Sequence, residues 1–158
     1  MTRLSLTRSS FYFTGSSEGK PELSRGMRSY QKKRSILIVD DDANLRMLLE
    51  YVLRKEYEVT TREDGLSAMA WLAAGNLPDM IIADVDMPRL NGYDLLRQVG
   101  ASGYYREIPV VMLSGCDDDT IRDKCLREGA RDYLLKPFKP DRMMAHLHQL
   151  FTHHTEEV

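Results

Sequence analysis

The chain of 158 residues predicts a doubly wound α/β domain, a five-stranded parallel sheet with helices on both faces. Three observations lead there. From Ser35 onward, short apolar runs alternate with segments whose apolar residues recur at helical spacing. Five such strand–helix units in regular succession favour parallel strands covered on both sides. Three of the runs also stop at charged residues, in Asp40-Asp41-Asp42, in Asp84 and in Lys136. Parallel neighbours would bring those ends to one sheet edge, where ligands of such sheets bind.

The elements follow in order. A strand over 35–39 precedes a helix near 43–54 with Leu45, Leu48, Leu49, Val52 and Leu53 on one stripe. A strand near 57–61 leads to a helix at about 64–74 carrying Leu66, Met69, Ala70 and Leu72. The strand 80–84 precedes Asn91-Gly92 and a helix over 92–100. The strand 108–114 precedes a helix at 118–128, where Asp117–Thr120 offer capping side chains and Gly129 a stop. A strand at 131–135 and a helix near 139–152 close the domain, with Met143, Met144 and Leu147 on its core side. Trp71 reads as helix-face packing.

Composition divides the chain unevenly. Residues 1–34 carry eight Lys/Arg against two Glu, so +6, and the remainder carries 14 basic and 22 acidic side chains, so −8. The first segment, rich in Ser, Gly and basic residues without a sustained period, reads as a disordered basic tail, and Met27 within it is a second candidate start. Residues 35–153 form the expected domain and 154–158 a C-terminal tail. The acidic body argues against a broad nucleic-acid surface. Cys116 and Cys125 match no metal spacing, and no stretch has the length of a membrane span or the core of a signal peptide. A cytoplasmic protein is the expectation. Too few residues follow the last helix for an appended DNA-binding or other output domain.

The strand-end acids carry the chemistry. Two carboxylates at about 4 Å repel by roughly 4 kcal/mol at an effective dielectric of 20. A hard divalent cation bound by oxygen ligands is the natural offset. Asp42 is the expected N-cap of the first helix, which leaves Asp40 and Asp41 without a structural duty. His146 and His148 differ by two and share no helix face, and no metal is assigned to them or to His153 and His154.

Four motifs in order are Val39-Asp40-Asp41, Asp84-Val85-Asp86-Met87-Pro88 with Asn91-Gly92, Val111-Met112-Leu113-Ser114-Gly115, and Lys136-Pro137-Phe138. Together they resemble the receiver domain of response regulators, of the stand-alone chemotaxis type, over about Ile36 to Phe151. The resemblance implies a flavodoxin-like (βα)5 fold and a phosphorelay role. Asp84 would be the phosphoacceptor, taking a phosphoryl group from a sensor histidine kinase or a histidine phosphotransfer protein. Asp40, Asp41, Asp84 and the backbone carbonyl of Asp86 would hold Mg²⁺, with Mn²⁺ as a substitute. Lys136 and Ser114 would bind phosphoryl oxygens, and Tyr133 would change rotamer when Ser114 moves. It also implies a cis bond before Pro137, which the sequence by itself does not favour.

Such a module is not a turnover enzyme. Its output would be contact with a downstream protein through the exposed part of the last helix and the strand and helix before it. The expected state is a monomer or a weak phosphorylation-dependent dimer. Two alternatives compete. Asp84-Val85-Asp86 has the Asp-x-Asp spacing of haloacid-dehalogenase-type phosphohydrolases, although there the pair follows the first strand. A receiver fold that no longer accepts phosphate would serve as a binding scaffold.

Overall fold

The computed structural model describes residues 32–156, without side-chain detail for 154–156. Most of the expected basic tail, residues 1–31, lies outside the described residues, as do 157 and 158. The elements are β1 (Ser35–Val39), α1 (Ala43–Leu53), β2 (Glu58–Arg62), α2 (Gly65–Ala73), β3 (Met80–Asp84), α3 (Gly92–Ala101), β4 (Val110–Ser114), α4 (Asp119–Arg127), β5 (Asp132–Leu135) and α5 (Pro140–Glu156). All neighbouring strands are parallel, in the order β2-β1-β3-β4-β5.

Alternation along the strands builds two cores. Successive side chains of a strand point to opposite faces. Leu37, Val39, Ile81, Ala83, Val110 and Met112 therefore pack with Ala68, Leu72, Leu95, Val99 and Cys125 of α2, α3 and α4. Ile36, Ile38, Met80, Ile82, Val111 and Leu113 pack with Leu49, Leu53, Met143, Leu147 and Phe151 of α1 and α5. Burial on both faces explains why β1, β3 and β4 read as continuous apolar runs.

Capping chemistry sets the helix starts. Asp42 caps α1, its carboxylate accepting from Asn44 N and Leu45 N. Asp64 caps α2 in a capping box with Ser67, Asn91 caps α3 and Asp118 caps α4. Gly129, at φ 108°, turns the chain out of α4 where a side chain would be strained.

Several expectations shift. The apolar run places the fourth strand from 108, yet its ladder begins at Val110, because Pro109 has no N–H to donate. Leu48 and Leu66 are exposed, at 45% and 58%. Each lies off the stripe that meets the sheet: Leu49 and Leu53 define it in α1, Ala68 and Leu72 in α2. The last helix runs to Glu156, beyond the expected 152 and into the segment read as a tail. Lys33 and Arg34, also read as tail, touch the domain. Lys33 Nζ donates to the carbonyls of Arg54 and Lys55, and Arg34 Nη1 donates to that of Phe151. The Lys33 contact lies at the C-terminus of α1, where cations are favoured.

Candidate phosphoacceptor site

The strand order reverses beside β1: β2 lies on one side of it and β3 on the other. The crevice at the carboxyl ends of β1 and β3 is the switch point of the sheet. Asp40 follows β1 directly, and Asp84 ends β3. Both are buried, at 0% and 7% exposure, while Asp41 beside them is exposed.

Each side chain is held from several directions. The amide of Asp40 donates to the Arg62 carbonyl at 3.1 Å, continuing the β1–β2 ladder by one residue. Its Oδ1 accepts from Asp42 N at 2.8 Å, and its Oδ2 accepts from Lys136 Nζ at 2.8 Å. Lys136 follows β5, and its ammonium also lies 3.3 Å from Asp84 Oδ1. It therefore bridges two buried carboxylates. The Lys136–Pro137 peptide is cis.

Carboxylate oxygens of Asp40, Asp41 and Asp84 lie within 4.8 Å of one another. Burial, and then the Asp40 charge, push the Asp84 carboxyl from 3.8 up to about 6, against the opposing pull of Lys136. Burial pulls the Lys136 ammonium down, but its hydrogen bond and attraction to Asp40, and then Asp84, leave its pKa raised. Three carboxylates against one ammonium leave net negative charge in a mostly buried crevice. Hard oxygen donors with surplus negative charge suit a small divalent ion. The donor set fits.

The remaining expected residues take distinct places. Asp86 lies two residues past Asp84, with its side chain exposed and its amide bonded toward the Asp84 carboxylate. Ser114, at the end of β4, is 1% exposed. Its hydroxyl donates to the Cys116 carbonyl and accepts from Cys116 N, both at 3.1 Å, closing a turn. Tyr133 is buried, and its hydroxyl donates to the same Cys116 carbonyl at 3.3 Å. Ser114 and Tyr133 thus share one acceptor. His146 pairs with Asp132 at 2.7 Å and His148 with Glu56 at 2.5 Å.

Other contributors leave no mark in the sequence pattern. Arg46 Nη1, from the first turns of α1, donates to the Asp40 carbonyl at 2.6 Å. Gly92 opens α3 against the end of β3, where a Cβ would lie 1.9 Å from the Asp84 carbonyl oxygen. Asn91-Gly92 was visible as a motif, but this close approach was not. Arg89 and Asp64 pair across two loops.

The class is thus a doubly wound parallel α/β domain with two buried acids at its switch point and a lysine bridging them. The response regulator receiver domain model matches residues 36–148, and the chain belongs to that family. It is 41% identical over 113 residues to the two-component response regulator ORR6 of Oryza sativa subsp. japonica, covering 70% of this chain and 66% of that protein. It is 41% identical over 106 residues to ORR3 of Oryza sativa subsp. indica, covering 66% of this chain and 81% of that protein. Among solved structures, the chemotaxis response regulator CheY4 of Vibrio cholerae superposes with a TM-score of 0.69 at 30% identity, covering 75% of this chain and 98% of that one.

The membership supports a role in a two-component phosphorelay. The position of Asp84-Val85-Asp86 at the end of the third strand weighs against the phosphohydrolase alternative. Among the described residues no helix is long and apolar enough to cross a membrane.

Proposed function

We propose that this chain is a phosphoacceptor switch, in which Asp84 takes a phosphoryl group from a phosphohistidine of a sensor histidine kinase or a histidine phosphotransfer protein. The observation that carries the reading is the bridge from Lys136 Nζ to Asp40 at 2.8 Å and to Asp84 at 3.3 Å. It leaves a buried carboxylate beside a fixed cation at the mouth of the crevice. With a pKa of about 6, Asp84 is largely ionised at neutral pH and is available as a nucleophile.

In the transfer, an Asp84 carboxylate oxygen forms a bond to phosphorus. The phosphorus–nitrogen bond to the donor imidazole breaks, and its electron pair stays on that nitrogen. Little covalent assistance is needed, so catalysis rests on positioning and charge neutralisation. Lys136 offsets the growing charge on one phosphoryl oxygen. The Ser114 hydroxyl exchanges its bond with Cys116 for another phosphoryl oxygen, and Tyr133 then has the Cys116 carbonyl to itself. Asp40, Asp41 and Asp84, with the Asp86 backbone carbonyl, would hold Mg²⁺ or Mn²⁺, which supplies the remaining neutralisation of the anionic nucleophile and phosphoryl group.

Because Asp84 is consumed, and water must hydrolyse its acyl phosphate to carboxylate and inorganic phosphate before it can accept again, the protein acts as a switch and not as a turnover enzyme. The readout is a protein partner on the α4–β5–α5 face, and the protein works in the cytoplasm as a monomer or a weak phosphorylation-dependent dimer. Intact-protein mass after incubation with acetyl phosphate and Mg²⁺ tests the chemistry. A single phosphoryl adduct is expected in the wild type and none in Asp84→Asn. An adduct of equal yield in Asp84→Asn would move the acceptor elsewhere. A wild type that takes no phosphoryl group from acetyl phosphate or from a phosphohistidine protein would leave the silent scaffold as the better reading.

A further inference from the structure

We propose that Arg89 and Asp64 form a clamp that positions the loop carrying Asp84, making Arg89 a positioning residue for phosphoryl transfer. The proposal rests on the phosphoacceptor reading above and deepens it. Among the described residues, Arg89 alone of the non-glycines has a positive φ, at 66°. Glycine or asparagine is the usual occupant of that region, and a long side chain there persists only when its surroundings over-determine it.

The surroundings do so. Arg89 Nε donates to Asp64 Oδ2 at 2.5 Å, and Nη2 donates to the same oxygen and to Glu63 Oε1, the latter at 3.0 Å. Asp64 is 1% exposed, and its other oxygen accepts from Ser67 N at 2.7 Å as the cap of α2. The anchor is therefore itself fixed. Next to it, Gly65 N donates to the Leu90 carbonyl at 3.0 Å. A Cβ on residue 65 would stand 2.6 Å from that oxygen, so this second tie depends on glycine.

The two ties join the loop after β3 to the loop after β2. At its far ends the same loop is held by Val85 N to the Leu113 carbonyl at 2.8 Å and by Gly92 N to the Val85 carbonyl at 3.0 Å. Asp84 and the Asp86 amide that bonds it sit at the start of this segment. With the clamp removed, the stretch between Val85 and Gly92 keeps only the Gly65–Leu90 backbone tie at its side, and the frame around Asp84 loosens. A displacement of about 1 Å at a reacting group can cost on the order of 100-fold in rate. Lysine cannot reproduce the arrangement, because the guanidinium fork serves two acceptors from a planar set of donors.

The test separates the clamp from simple backbone strain. Arg89→Gly relieves the positive φ while removing the guanidinium. Asp64→Asn keeps a capping acceptor while removing the charge. Phosphorylation by acetyl phosphate is followed at saturating Mg²⁺ across donor concentrations. Each variant should lower the maximal rate at least tenfold with the half-saturating donor concentration unchanged. The double variant should be no slower than the slower single one, and Arg89→Lys should recover only part of the rate. A wild-type rate in Arg89→Gly, or losses that multiply in the double variant, overturns the clamp. If the wild type itself takes no phosphoryl group, the phosphoacceptor reading has failed, and amide hydrogen exchange over 85–91 then decides the clamp. Exchange at least tenfold faster in Arg89→Gly supports it, and unchanged exchange overturns it.

Discussion

Asp84 is the residue whose environment works against its own charge. Its carboxyl rests at about 6 in the folded chain against 3.8 unfolded, through burial first and the Asp40 charge second. The folded state therefore holds this proton more tightly than the unfolded one. Asp84 favours folding fully below pH 3.8, and that contribution is lost as pH rises through 6. A difference of this size corresponds to about 3 kcal/mol. Asp84→Asn removes the charge and keeps the shape. In metal-free protein, urea midpoints should show Asp84→Asn more stable than wild type by about 1–3 kcal/mol at pH 7.5. The gap should close toward pH 4.5. A gap of equal size at both pH values would show that the substitution acts through something other than this titration.

At the scale of elements, the site exists because α3 starts directly against the end of β3. A Cβ on Gly92 would meet the Asp84 carbonyl oxygen at 1.9 Å and the carbonyl carbon at 2.8 Å. Both obstacles are backbone, so neither can swing away. Gly92→Ala should cost upwards of about 2 kcal/mol in denaturant unfolding and slow adduct formation at Asp84. Gly115→Ala is the contrast, since a Cβ there meets nothing within 4 Å, and its cost should stay within about 0.5 kcal/mol. Equal losses in the two variants would refute the close-approach argument. The strands were legible because both of their faces are buried, which writes β1, β3 and β4 as apolar runs. Asp40, Asp84 and Lys136 were legible because each ends such a run. Arg46 over the Asp40 carbonyl, Arg89 on Asp64 and Gly92 on Asp84 were not. Each depends on how two loops or a loop and a helix meet in space, and no period in the sequence records that. Leu48 and Leu66 failed for a related reason: periodicity marks an apolar stripe but not the edge at which the sheet stops covering it.

For the molecule as a whole, folding and cation binding should be linked. The carboxylates of Asp40, Asp41 and Asp84 come within 4.8 Å of one another only in the folded chain, because β1 and β3 bring them together. An ion that binds this cluster and not the unfolded chain stabilises the fold by about 2.7 kcal/mol at 100 times its dissociation constant. The denaturation midpoint of the wild type should therefore climb with Mg²⁺ concentration, beyond any effect of NaCl at matched ionic strength, which reports screening alone. Asp41→Ala should shrink the climb, because it removes the exposed ligand and leaves the buried pair in place. Without metal, the same variant should be as stable as the wild type or more so, since one carboxylate fewer repels the others. The two effects have opposite signs in one variant, which a generally damaged fold would not reproduce. An undiminished Mg²⁺ increment in Asp41→Ala would remove Asp41 from the ligand set and leave Asp40 and Asp84 to hold the ion alone.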